Sequence, residues 1–151
     1  MLRLSKLTDY AVVVLTRLAR DGAAPVQTAL SLAGDTGIAE PTVAKVLKLL
    51  AHSGLVEGVR GPRGGYRLTR ALASVPLSEV IVAIDGPIAL TACVDGGTGA
   101  CEAEGICPVR GRWDPVNDAI RRALSGITLA DMAPPARPGP ASSAVLHVLA
   151  E

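Results

Sequence analysis

The chain has 151 residues, 49% hydrophobic and 19% charged, with no Phe, one Trp and two Tyr, so it is too apolar for wholesale disorder and must build its core from Leu, Val, Ile and Ala, which favours helices. Its apolar runs fall far short of the roughly 20 residues that span a bilayer. The N-terminal MLRLSKLTDY has no cleavable hydrophobic segment, so a cytoplasmic chain with no membrane partner is expected. A net charge of +1 hides a division: residues 1–70 carry ten Lys/Arg against five acids, whereas residues 71–151 carry five against nine, so the first half is expected to meet an anion, nucleic acid foremost.

In chain order, Leu7, Tyr10, Ala11, Val14, Leu15 and Leu18 recur at the spacing of one buried helical stripe, with Ser5 as N-cap and Gly22 as C′ residue. A shorter helix is predicted over Gln27 to Asp35 with Leu30 and Ala33 inward, although Gly34 weakens it by about 1 kcal/mol relative to Ala. Gly37 gives a sharp turn and Pro41 stands where a first helical residue tolerates having no N–H. The helix that follows, to about Ser53, puts Val43, Val46, Leu47 and Leu50 inside and Thr42, Lys45 and Lys48 outside, and Gly54 ends it.

Two short helices across a Gly turn, the second with an outward basic face, predict a helix-turn-helix. Leu55 to Arg60 and Tyr66 to Thr69 then have the composition of strands joined by Gly61-Pro62-Arg63-Gly64-Gly65, a hairpin that would form the wing of a winged helix and hold Arg60 and Arg63 toward phosphates or the minor groove. Each feature alone is compatible with solvated surface; helix, turn and wing in this order are jointly specific. The candidate contacts to double-stranded operator DNA are Lys6, Thr42, Lys45, Lys48, Arg60 and Arg63.

The second half opens with Leu77, Val80, Ile81 and Ile84 on one helical face, stopped by Gly86-Pro87. CVDGGTGACEAEGIC follows and holds all three cysteines, Cys93, Cys101 and Cys107, in 15 residues spaced C-x7-C-x5-C. An odd number of cysteines fits poorly with a disulfide framework, and thiolates on a Gly-rich loop suit a soft metal or an iron–sulfur cluster. Next, Trp113, Val116, Ile120 and Leu124 form an apolar stripe opposite Asp114, Asn117, Asp118, Arg121 and Arg122, with Asp114 expected to cap and Pro115 to begin the helix. A symmetric dimer would cover that stripe; packing on its own domain is the competing reading.

Thr128 and Asp131 predict one more capped turn, and the Pro/Ala/Ser-rich end is expected to be disordered. The expected class is mainly α, with a small β-hairpin wing and a long C-terminal dimerisation helix. Its divisions are 1–72 (DNA binding), 73–132 (cysteine loop and dimerisation helices) and 133–151 (tail). No nucleophile–base pair, phosphate loop or paired-carboxylate site is present to suggest an enzyme, and no small-molecule substrate is expected. Zinc, metal-free thiol redox chemistry and an iron–sulfur carrier remain the rival uses of the thiols, the last leaving the basic half unexplained.

MLRLSKLTDYAV, GLVEGVRGPRGGYRL, EVIVAIDGPIALTAC and CPVRGRW resemble the Rrf-two family of winged-helix repressors, and within it the regulators of the SUF iron–sulfur assembly operon, over about residues 1–132. The resemblance implies a homodimeric, sequence-specific repressor of iron–sulfur assembly genes that senses cluster status through a 2Fe–2S or 4Fe–4S cluster. It implies that Cys93, Cys101 and Cys107 are the cluster cysteines, that the helix from Pro41 to Ser53 is the recognition helix, and that Arg60 is the wing arginine of the minor groove. Ala44 occupies the place of a base-reading acid in the family, so operator preference does not carry over. Arg110 stands where family members place a ligand histidine, three residues after the last cysteine. Asp9 stands where other members supply an aspartate from the second subunit, which makes it the candidate fourth ligand, with Asp95, Glu102 and Glu104 as alternative oxygen donors.

Overall fold

A computed structural model describes residues 3–20, 26–97 and 101–135. Helix α1 (Lys6–Leu18) starts as its sequence predicts: Ser5 is extended and its Oγ accepts from the Thr8 amide at 3.2 Å, satisfying one of the free N–H groups of the first turn. Ala11, Val14, Leu15 and Leu18 are buried, with Leu7 and Tyr10 packed at the edge of the same core. The expected stop at Gly22 lies outside the described residues.

Helix α2 (Ala29–Thr36) corrects the sequence expectation at its start and in its phase. Gln27 is taken up by strand pairing: its N–H donates to Tyr66 O at 2.9 Å and its carbonyl accepts from Tyr66 N at 2.8 Å. Thr28 therefore becomes the cap, accepting from the Ser31 amide at 3.1 Å. From that start Ala29, Leu32, Ala33 and Thr36 share one face, so Leu32 is the buried residue, while Leu30, expected inward, is 66% exposed.

Gly37 takes the left-handed conformation (φ 72°) and its N–H donates to Ala33 O, closing α2 and turning the chain into α3 (Glu40–His52). Pro41 sits in the first turn of α3, where no hydrogen bond is lost, and Val43, Val46, Leu47 and Leu50 are fully buried as expected. Strands β1 (Val56–Val59) and β2 (Gly65–Leu68) pair antiparallel, Val56 opposite Leu68 and Val59 opposite Gly65. β1 is shorter than the expected Leu55 to Arg60, and β2 has the expected length but starts one residue earlier, at Gly65. A Cβ at position 65 would stand 2.5 Å from Gln27 O, so the missing side chain of Gly65 is what lets β2 close on the segment before α2.

Helix α4 (Leu77–Asp85) buries Leu77, Val80 and Ile81 in the core built by α1–α3. The chain returns to that core at α6 (Leu129–Met132), whose Leu129 is fully buried. Leu77 N donates to Ile127 O at 2.8 Å and Leu129 N to Val75 O at 2.9 Å, fastening this return to the entry of α4. The Thr128–Asp131 capping box forms as the sequence predicts, and the Thr128 amide and hydroxyl together hold the Asp131 carboxyl below its ordinary pKa.

Helix α5 (Asp114–Ser125) is where the stripe expectation needs its second correction. Ile120 and Leu124 are half-buried, but Trp113 and Val116 are 42% and 44% exposed, and the most buried residue of the helix is Asn117, expected on the outer face. Asn117 is inside because its amide bonds two backbone groups of the segment after α4. The helix begins at Asp114, with Trp113 rather than Asp114 at the cap position and Pro115 harmlessly in the first turn. No helix among the described residues is long and apolar enough to cross a membrane.

Candidate nucleic-acid interface and cysteine loop

The buried stripe of α3 fixes the rotation of that helix and so decides what it shows to solvent. Pro41, Ala44, Lys45 and Lys48 are exposed and Thr42 is half-exposed. β1 packs against α3, so the hairpin rises beside it with Arg60 and Arg63 exposed at the turn. Three acids are paired with other arginines: Asp35 with Arg17 at 2.7 Å, Glu57 with Arg67 across the hairpin, and Glu79 with Arg70. Among the described residues Lys45, Lys48, Arg60 and Arg63 carry no ion pair, which leaves their charge available to phosphates. Lys6 is exposed at the start of α1, its ammonium 5.6 Å from the centre of the Tyr10 ring.

The path to the cysteines begins with a contact that periodicity does not reveal. Asp85, at the end of α4, accepts from the Ser5 amide at 3.1 Å and from the buried Thr8 hydroxyl at 2.8 Å, joining the end of α4 to the start of α1. Burial pushes its pKa up, but the hydrogen bonds from Ser5 and Thr8 outweigh that and hold the carboxyl below its ordinary value. One signal was present in the sequence: an acid at a helix C-terminus opposes the helix dipole and so calls for another partner.

Because the folded pKa is lowered, the Asp85 contribution to stability is full above the ordinary carboxylate range and is lost as pH falls through the folded value. Asp85→Asn is expected to cost about 1 kcal/mol at pH 7, allowing for its solvent exposure, and progressively less as pH falls through the folded value. Thermal melts of both proteins across that range should converge at the acid end.

Cys93, Cys101 and Cys107 are all unbridged and half-buried. The Cys93 thiol lies 3.3 Å from the Thr91 hydroxyl and, with Asp95, Asp114, Asn117 and Asp118, lines a polar pocket of about 370 Å³ beside the first turns of α5. Cys101 and Cys107 lie on either side of a single 3-10 turn, Glu104–Ile106, whose Ile106 is exposed. Among the described residues no three His, Cys, Asp or Glu side chains stand together as a ligand set. Three unbridged thiols suit an iron–sulfur cluster in donor chemistry.

The remaining candidate ligands are dispersed. Asp9 is exposed on the first turn of α1 and lines a different pocket, with Arg3, Lys6 and Met132, so in this chain it does not stand with Cys93. Arg110 is exposed and, as a permanent cation, cannot replace a histidine ligand. His52 is exposed at the end of α3.

Comparison with known proteins agrees with this architecture. Residues 4–135 match the Rrf2 (Rrf-two) family model, described as an iron-dependent transcriptional regulator. The HTH-type transcriptional regulator IscR of Escherichia coli is 30% identical over 131 residues, 87% of this chain and 80% of that protein. The structure of T. potens IscR superposes with a TM-score of 0.62 at 29% identity, covering 87% of this chain and 85% of the other. That of CymR, the global cysteine regulator of B. subtilis, superposes with a TM-score of 0.67 at 25% identity, covering 88% and 97%. With the helix-turn-helix, the hairpin wing and this match over nearly its whole described length, the chain belongs to the Rrf2 family of transcriptional regulators.

Proposed function

We propose that this DNA-binding regulator is a homodimeric repressor of iron–sulfur assembly genes that responds to cluster supply through Cys93, Cys101 and Cys107. Residues 1–72 would carry the DNA contacts and residues 73–132 the sensor and the dimer surface. The observation that supports it best is the coexistence, in one chain, of an unpaired basic face on α3 and the hairpin with three unbridged thiols on one loop. Similarity to IscR adds to it.

In this reading the N-terminal half of α3 enters the major groove, with Thr42, Lys45 and Lys48 toward bases and phosphates, while Arg60 and Arg63 reach the flanking minor groove and backbone, and Lys6 a phosphate. Paired heads would set the half-site spacing, and the exposed Trp113 and Val116 of α5 would be covered in the dimer. Cys93, Cys101 and Cys107 would hold the cluster, with Asp9 of a second copy as the candidate fourth donor. A bound cluster would contribute sensitivity to oxidants and to iron supply. The segment leading into the loop is bonded through Asp85 to α1 and through Asn117 to α5, so cluster occupancy and operator affinity would bias each other reciprocally.

A second reading has its own support. The thiols stand apart and unbridged, and the B. subtilis relative is a cysteine regulator, so a cluster-free, thiol-responsive repressor is the alternative. Anaerobic purification followed by iron, sulfide and zinc analysis with a visible spectrum separates the two. Iron with acid-labile sulfide and broad visible absorption is expected. Colourless, metal-free protein that still releases its operator on oxidation sinks the cluster reading and favours the thiol one, whereas stoichiometric zinc would replace both.

A further inference from the structure

Asn117 is 1% exposed in a helix whose apolar Trp113 and Val116 are left in solvent. Burying an amide in place of an apolar residue is costly unless its hydrogen bonds are replaced. Both ends of this one are used, and on the same segment. Its Oδ1 accepts from the Leu90 amide at 3.0 Å and its Nδ2 donates to Ile88 O at 3.2 Å.

One turn further along α5, Arg121 Nη2 donates to Asp95 O at 3.3 Å. Gly96 stands beside that contact: a Cβ there would come within 3.1 Å of the same guanidinium and 3.0 Å of Pro87 Cβ. Three hydrogen bonds from two residues of α5 therefore grip residues 88–95, and Cys93 lies between the gripped points, its thiol in the pocket that Asn117 also lines.

We propose that Asn117 is a positioning residue for Cys93: by pinning Ile88 and Leu90 to α5 it makes Cys93 the anchored thiol of the three. The inference rests on the proposed ligand-binding role of the loop and adds an order to it. Cys93 is held on α5, through Asn117 and Arg121, before any metal arrives. An aspartate at 117 keeps the acceptor for Leu90 N–H but loses the donor to Ile88 O, so Asn117→Asp removes half of the grip and Asn117→Ala removes all of it.

The test reads Cys93 itself, without metal. In a Cys101→Ser/Cys107→Ser chain the alkylation rate of the single remaining thiol by iodoacetamide is measured with Asn117 intact, with Asn117→Asp and with Asn117→Ala. Leu32→Val in α2, which loosens the core away from the loop, is the control for plain destabilisation. Loss of the two bonds is expected to raise the rate about tenfold in Asn117→Ala, with Asn117→Asp between and Leu32→Val unchanged. An unchanged rate in Asn117→Ala overturns the proposal, as does an equal rise in Leu32→Val.

In the three-cysteine chain, anaerobic reconstitution is followed by the rate of cluster loss. Faster loss with an altered visible spectrum in both Asn117 variants supports the proposal. Wild-type spectrum and loss rate in Asn117→Ala overturn it while leaving the cluster reading intact. If wild-type protein takes up no iron but the alkylation arm behaves as expected, the cluster reading fails and the positioning role stands.

Discussion

Arg60→Ala is expected to weaken operator binding about tenfold to a hundredfold at fixed salt, in the presence and absence of cluster alike, with little change in melting temperature. Arg60 follows β1 directly and is exposed, and no ion pair among the described residues occupies it, so truncation removes charge from the surface without removing a fold contact. Arg67 on the opposite strand is the internal control. Its guanidinium is already spent on Glu57, so Arg67→Ala should leave affinity within about a factor of two, as expected for an exposed pair. Titrations at several salt concentrations locate the contact: a phosphate contact lowers the slope of log affinity against log salt by about one, whereas minor-groove insertion also makes the loss depend on the flanking A·T content. Unchanged affinity for Arg60→Ala would remove the wing from the interface.

Cys101→Ala has the second large effect, and a different signature. Operator affinity of the metal-free protein should stay at the wild-type value, because Cys101 lies outside α3, the hairpin and the core. The response to iron starvation or oxidant should vanish. Removing one of only three thiols should cost more than the roughly 10–100-fold in metal affinity that losing a partner around a ligand costs, so iron content after anaerobic purification should fall close to background. The paired outcome matters: a variant that loses both iron and metal-free operator binding would place Cys101 in the fold rather than in the sensor.

Much of the head was legible because its residues repeat. The three-four spacings of α1 and α3, the Gly37 turn and the Thr128–Asp131 box are local signals, and each formed where the pattern put it. Leu32 was missed for Leu30 because the start of α2 is set by a distant strand partner, Tyr66, which no window over residues 27–35 contains. Asp85 and Asn117 were missed for a related reason. Both are polar residues whose partners lie at long range, Ser5 and Thr8 for one, Ile88 and Leu90 for the other, and a hydrophobic pattern assigns such residues to solvent. The cysteine spacing offered candidate donors with soft-metal chemistry, but a Gly-rich loop leaves their positions undetermined, since spacing constrains which thiols can meet and not where they rest.

The bond pair between Gln27 and Tyr66 stitches the returning strand of the hairpin to the residue that precedes α2. The guanidinium groups at the hairpin turn and the ammonium groups on α3 are thereby carried on one packed unit, β1 against α3 and β2 bonded to the residue before α2. In the proposed dimer a signal arriving at α5 would therefore act on the separation of the two readers, leaving the shape of each reader unchanged.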